Sequence, residues 1–119
     1  MTKFFEHYAA NGVTTAQDGI VSIAEFGTLK KVAAAGELFI DVVALGSFAE
    51  APAFVAEHQH YSNYKQRLKL GGVKFVTDGS PQGKTAFFTA PYLTGGPGGE
   101  NNWRGEPMVL PAQFSALLK

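Results

Sequence analysis

One pattern limits this chain more than any other: three short strand-like runs, at residues 13–17, 38–45 and 73–78, with a helix-length segment between each and the next. Strands spaced that far apart are not joined by hairpins. They pair side by side in parallel, through crossover helices that cover the sheet. The run at 38–45 is continuous but for Asp41, as a strand buried on both faces requires. The order reads helix, strand, helix, strand, helix, strand, long loop, helix. It predicts a single α/β domain over residues 1–119, with about three parallel strands and flanking helices.

Local signals set the expected boundaries. Thr2 is placed to cap a helix over residues 3–10, with Phe4, Phe5, Tyr8 and Ala9 on its apolar side and Asn11-Gly12 as its stop. Asp18-Gly19 is expected to close the first strand. Ser22, with Glu25 three residues later, forms a capping box. The helix it starts is expected to run to about residue 35, with Ile23, Phe26, Leu29, Val32 and Ala33 at helical spacing and Gly36 past its end. Pro52 suits the first turn of a helix expected to reach about Lys69, stopped by Gly71-Gly72. Residues 84–93 are expected to add a short extended piece. Residues 94–107 form a loop rich in glycine and proline, and Pro111 opens a last helix with Phe114, Leu117 and Leu118 on one face.

The totals exclude several functions. Formal net charge is zero, which gives no electrostatic case for nucleic acid or an anionic membrane surface. There is no cysteine, so disulfides and thiolate metal sites are out, in keeping with an expected cytoplasmic location. No apolar run approaches the ~18 residues of a membrane span, and Met1 to His7 lack the apolar core of a secretory signal.

The chemistry concentrates in residues 70–86. In the expected third strand, Val73, Phe75 and Thr77 point to one side, and Lys74, Val76 and Asp78 to the other. A lysine and a carboxylate on one face of an apolar strand are costly to bury unless they are paired or bound to something. Lys74 can pair with Asp41 on the neighbouring strand, or with Asp78, or it can serve a site. A strand that brings charged groups to its C-terminal end and opens into a long loop is how α/β enzymes build sites.

Residues 72–80, Gly-Val-Lys-Phe-Val-Thr-Asp-Gly-Ser, followed by Thr85-Ala86 and Pro91-Tyr92, resemble the YtcJ-like branch of the metal-dependent amidohydrolases. Residues 12–19, Gly-Val-Thr-Thr-Ala-Gln-Asp-Gly, are similar to an earlier strand of the same family, in the same order and at roughly the same separation. The resemblance covers nearly the whole chain but only the middle of the family's barrel. It implies a partial TIM-like (β/α) barrel segment; a whole barrel takes about 250 residues. It also implies a divalent metal, zinc or similar, whose bound water attacks an amide-type C–N substrate. Lys74 would be the bridging metal ligand as a carboxylated lysine, and Asp78 and Ser80 would lie where substrate approaches. The family's His-x-His pair, its further histidines and its aspartate base belong to strands outside this stretch. The segment is therefore expected to be an incomplete catalyst on its own.

Two patterns imitate other sites. His58-Gln59-His60 would chelate a metal on a strand, but its neighbours are helical, and on a helix the two rings diverge. His7 stands apart from any such pattern. Residues 79–85, Gly-Ser-Pro-Gln-Gly-Lys-Thr, look like a phosphate-binding loop, but they have three residues between the glycines where the motif needs four, and no helix is expected after them. The alternative to a hydrolase is a non-enzymatic barrel segment stabilised as a homo-oligomer, because three parallel strands leave open edges.

Overall fold

The computed structural model describes residues 2–117. They form two compact units, one ending at Phe75 and one beginning at Val76. In the first unit, α1 (Thr2–Ala10) leads into β1 (Thr15–Val21), α2 (Ile23–Ala34), β2 (Asp41–Ser47), one 3-10 turn (Phe48–Glu50), α3 (Ala51–Tyr61) and β3 (Leu68–Lys74). The strands lie in the order β1-β2-β3, and both pairs are parallel. This is the open three-stranded α/β arrangement that the alternation predicts.

The central strand separates its two faces by alternation. On β2, Val42, Ala44 and Gly46 are buried while Asp41, Val43, Leu45 and Ser47 are only partly so. Leu68 and Leu70 continue the buried face on β3, and Phe26, Leu29 and Phe54 from α2 and α3 cover it. Burying each of these large side chains contributes about 1.5–3 kcal/mol over leaving it in water. The rings of Phe26 and Phe54 meet edge to face at 5.9 Å, and Tyr61 adds a second edge contact to Phe26 at 5.3 Å. Among the described residues, all three helices of this unit contribute to that one core, through Phe5, Phe26 and Phe54.

The capping box forms as expected. The Ser22 hydroxyl oxygen accepts from the Glu25 amide at 3.2 Å, and the Glu25 carboxylate accepts from the Ser22 amide at 2.8 Å. Glu50 adds a further acceptor for the Ile23 amide at 3.1 Å. Two carboxylates therefore meet the positive end of α2. Lys30 and Glu57 tie α2 to α3 at 2.7 Å. The α1 stop is confirmed: Gly12 takes a left-handed φ of 77° and Val13 N donates to the Tyr8 carbonyl at 3.0 Å. The Thr2 side chain, expected as the cap of α1, lies outside the described residues, as do the side chain of Leu117 and all of Leu118.

Several boundaries differ from expectation; the second strand, expected at 38–45, runs from Asp41 to Ser47. The third helix stops at Tyr61, with Ser62 as its C-cap, rather than near Lys69, and Gln66 and Arg67 further on adopt left-handed φ values of 50° and 66° that no α-helix contains. The third strand begins at Leu68, which together with Leu70 reaches the core, and it ends at Lys74, so residues 75–78 lie beyond it. The first strand does not close at Asp18-Gly19. It continues to Val21 through a bulge, with the register to β2 shifting between Asp18 and Val21.

The second unit is built from turns and from α4 (Pro111–Leu117), which opens at Pro111 as expected. Residues 84–93 form no strand. They are fastened to the loop after them: Phe88 N donates to the Arg104 carbonyl and Tyr92 N to the Trp103 carbonyl, both at 2.8 Å. The Tyr92 hydroxyl donates to the Ala86 carbonyl, and the Trp103 indole N–H donates to the Lys84 carbonyl. The long loop is thus ordered by backbone amides and side chains that donate to backbone carbonyls.

Candidate functional site

Lys74 is the last residue of β3, at the C-terminal edge of the sheet, and it pairs in register with Ser47, the last residue of β2. A register shift between Ala44 and Leu45 puts Gly46 opposite Val73 and Ser47 opposite Lys74. Val73 packs on the core, so Lys74, one residue on, stands on the open face. Its side chain is exposed, and among the described residues no carboxylate pairs with it. Immediately beyond, the rings of Phe48 and Phe75 stack at 3.9 Å with a tilt of 31°.

The Lys74 amine does not stay over its own strand. A Cβ placed on Gly19 would stand 3.5 Å from Lys74 Nζ. Gly19 is on β1, and β2 lies between it and β3. The lysine therefore lies across the end of β2 and brings its amine to the bulge in β1. Gly19, Ser47 and Lys74 share the open face at this edge.

The expected pairing of Lys74 with Asp41 does not occur. Asp41 sits at the other end of β2 and bonds Arg67 at 3.1 Å. Asp78 does not share a strand face with Lys74, because β3 has already ended. Its Oδ2 accepts from the Phe87 amide at 2.8 Å within the second unit, which is the work of a turn cap. Asp78 also lines a pocket of about 390 Å³ with Thr77, Phe87, Pro107, Val109 and Phe114. Ser80 is engaged in the same turn: its hydroxyl oxygen accepts from the Gly83 amide at 3.2 Å and its amide donates to Thr85 Oγ1 at 2.9 Å.

The imitations resolve as helix and turn. His58 and His60 are exposed on the last turn of α3. Lys84 turns its amine to the Thr94 carbonyl at 3.2 Å, and no helix follows before Pro111. Among the described residues, no three histidine, aspartate or glutamate side chains come together in a way that suits a metal ion. A metal at the open edge thus finds one candidate ligand here, Lys74, and not a set. No helix among the described residues is long and apolar enough to cross a membrane.

Among the described residues, Asp18 and Glu25 are the two groups whose protonation is clearly perturbed. Burial first, and the nearby Glu25 charge second, hold the Asp18 carboxyl above the usual carboxylate range. The Ser22 amide and hydroxyl hold Glu25 below it. Asp18 lines a pocket of about 440 Å³ with Phe4, Phe5, Tyr8 and Leu29, on the helix-covered side of the sheet and away from Lys74.

The residue that sequence reasoning missed is Gly19. An isolated glycine inside a strand pattern is a known mark of a bulge or a close approach, but beside Asp18 it reads as a turn.

The amidohydrolase family model matches residues 1–119. No curated protein matches the sequence. A solved structure, an uncharacterized metal-dependent hydrolase from Pyrococcus horikoshii OT3, superposes with a TM-score of 0.79 at 21% identity, over 98% of this chain and 23% of that one. At that identity the likeness is one of fold, and this chain spans 23% of the length of that structure.

Proposed function

The chain belongs to the amidohydrolase family, and on that premise we propose that it supplies one side of a metal-dependent hydrolase site for amide-type C–N bonds, of the YtcJ-like kind. The observation that carries this is the position of Lys74, unpaired at the C-terminal edge of a parallel sheet, where such sheets place their chemistry. In that class of reaction a divalent metal such as zinc supplies a bound water acidic enough to attack near neutral pH. The part played by this chain is narrower. Lys74, as a carboxylated lysine, offers one ligand, and Asp78 and Ser80 are assigned to binding the amide-type substrate. The remaining ligands come from outside residues 2–117, so the segment does not complete the site alone.

Zinc titration in the presence of bicarbonate tests this. Zinc uptake is expected to be weak, as befits one ligand of a set, and the Lys74-dependent part is expected to vanish in Lys74→Ala. Equal uptake by the two proteins overturns the assignment.

A second reading rests on the sheet order. With β2 central, β1 and β3 each have one edge without a strand partner among the described residues. Such edges invite pairing with another strand. We propose that the 119-residue chain on its own is a homo-oligomer. Sedimentation equilibrium showing a monomer at micromolar concentration would count against it.

A further inference from the structure

We propose that Gly19 is a positioning residue for Lys74: with no side chain at a bulge on the open face, it keeps free the space in which the Lys74 amine takes up carbon dioxide. This rests on the reading of Lys74 as a carboxylated ligand.

The backbone does not require glycine here. Six glycines have left-handed φ, and Gly19 is not among them. Its φ makes no demand for glycine, which leaves smallness as the property in use. The register shift between Asp18 and Val21 leaves Gly19 in a bulge, and bulges re-aim one strand locally. The hypothetical Cβ at 3.5 Å from Nζ is an ordinary van der Waals contact, so a methyl group alone is tolerated. A branched side chain projects further, into the volume beyond Nζ. A carbamate fills that same volume, because it adds a planar carboxylate to the nitrogen.

The chemistry balances without a further reagent. The neutral amine's lone pair attacks the carbon of carbon dioxide and an N–C bond forms. One C=O π pair moves onto oxygen, and the nitrogen loses a proton to solvent. Cyanate gives a metal-independent probe of the same volume. The amine adds to isocyanic acid, the N–C bond forms, the proton moves to the former cyanate nitrogen, and a stable urea of nearly the same shape results.

The test measures both products on the full chain. Cyanate modification is followed by peptide mass at Lys74, with exposed Lys31 on α2 as the internal reference. Carbamate is followed by 13C NMR in labelled bicarbonate, with Lys74→Arg identifying the signal. Gly19→Ala is expected to behave as the wild type. Gly19→Val is expected to slow Lys74 modification about tenfold relative to Lys31, as about 1.4 kcal/mol of crowding does, and to lose the carbamate signal. Should Gly19→Val fail to fold by circular dichroism, Gly19→Ser carries the same expected slowing. A carbamate signal and a cyanate rate unchanged in the folded bulky variant overturn this inference alone. A wild-type chain with no Lys74-dependent carbamate overturns the reading of Lys74 and this inference together.

Discussion

Gly46 is where the sheet and its covering helix come closest, and replacing it tests the packing that holds the site. A Cβ at Gly46 would lie 2.7 Å from Phe54 Cδ1 and closer still to Cγ and Cδ2. Phe54 is 1% exposed and its ring meets Phe26 edge to face, so it has no free path into solvent. Gly46→Ala therefore forces α3 outward or the ring off its rotamer, at about 1–3 kcal/mol. Phe54→Ala leaves a cavity and costs about 3–5 kcal/mol. In the double variant the added methyl sits in the vacated space, so the two losses are expected to fall short of their sum by about 1–3 kcal/mol. Urea unfolding reads this directly. With a slope of about 1–3 kcal/mol per molar, Gly46→Ala lowers the midpoint by roughly 1 M. A neutral Gly46→Ala, or strict additivity in the double variant, would refute the placement of α3 on this strand.

Other expectations follow from single contacts. Lys74→Ala is expected to change unfolding free energy by no more than about 0.5 kcal/mol, since the side chain is exposed and unpaired; a larger loss in urea would show a structural role. Arg67→Gly should gain from relief of its left-handed backbone about 1 kcal/mol, less up to about 1 kcal/mol for the partly exposed bond to Asp41; thermal unfolding at low and high salt separates the two, and only the second depends on salt. The Asp18 carboxyl is raised in the folded chain, so the folded state holds its proton more tightly than the unfolded state. That group's contribution to stability is therefore lost as pH rises from the ordinary aspartate range through the raised value. Asp18→Asn is expected to flatten this fall and to be more stable than wild type at neutral pH; a variant less stable at pH 7 would contradict the assigned cause. Glu25 behaves oppositely: its capping contribution is present at neutral pH and is lost as pH falls through its lowered value, so Glu25→Gln should lessen the acid sensitivity of unfolding.

What could be read in the residues depended on whether the signal was local. The capping box at Ser22 and Glu25 is a complete hydrogen-bond pattern within four residues, and it formed as expected. The parallel pairing followed from connection length, which needs no knowledge of contacts. The turn between α3 and β3 was not legible, because Gln66 and Arg67 carry no mark of a left-handed backbone; glycine or asparagine there would have shown it. The start of β3 did leave a trace. Leu68 and Leu70 alternate with Lys69, but Gly71-Gly72 outweighed that alternation as a helix stop. In the fold Gly71 admits the close approach of Val43 and Leu45 on the open face. Lys74 was legible as the charged residue of an apolar strand. Its reach to Gly19 was not, since it depends on the order of three strands and on a bulge in the first.

The central claim is that a parallel sheet of the amidohydrolase kind ends on Lys74 and lays its amine beside Gly19. Nuclear Overhauser spectroscopy of the labelled chain measures that directly. The account predicts a cross-peak between the Gly19 α-protons and the Lys74 ε-methylene, alongside the cross-strand peaks of parallel β1-β2 and β2-β3 pairing. Cross-strand peaks present with no Gly19 to Lys74 peak, or an antiparallel pattern between β2 and β3, would contradict it.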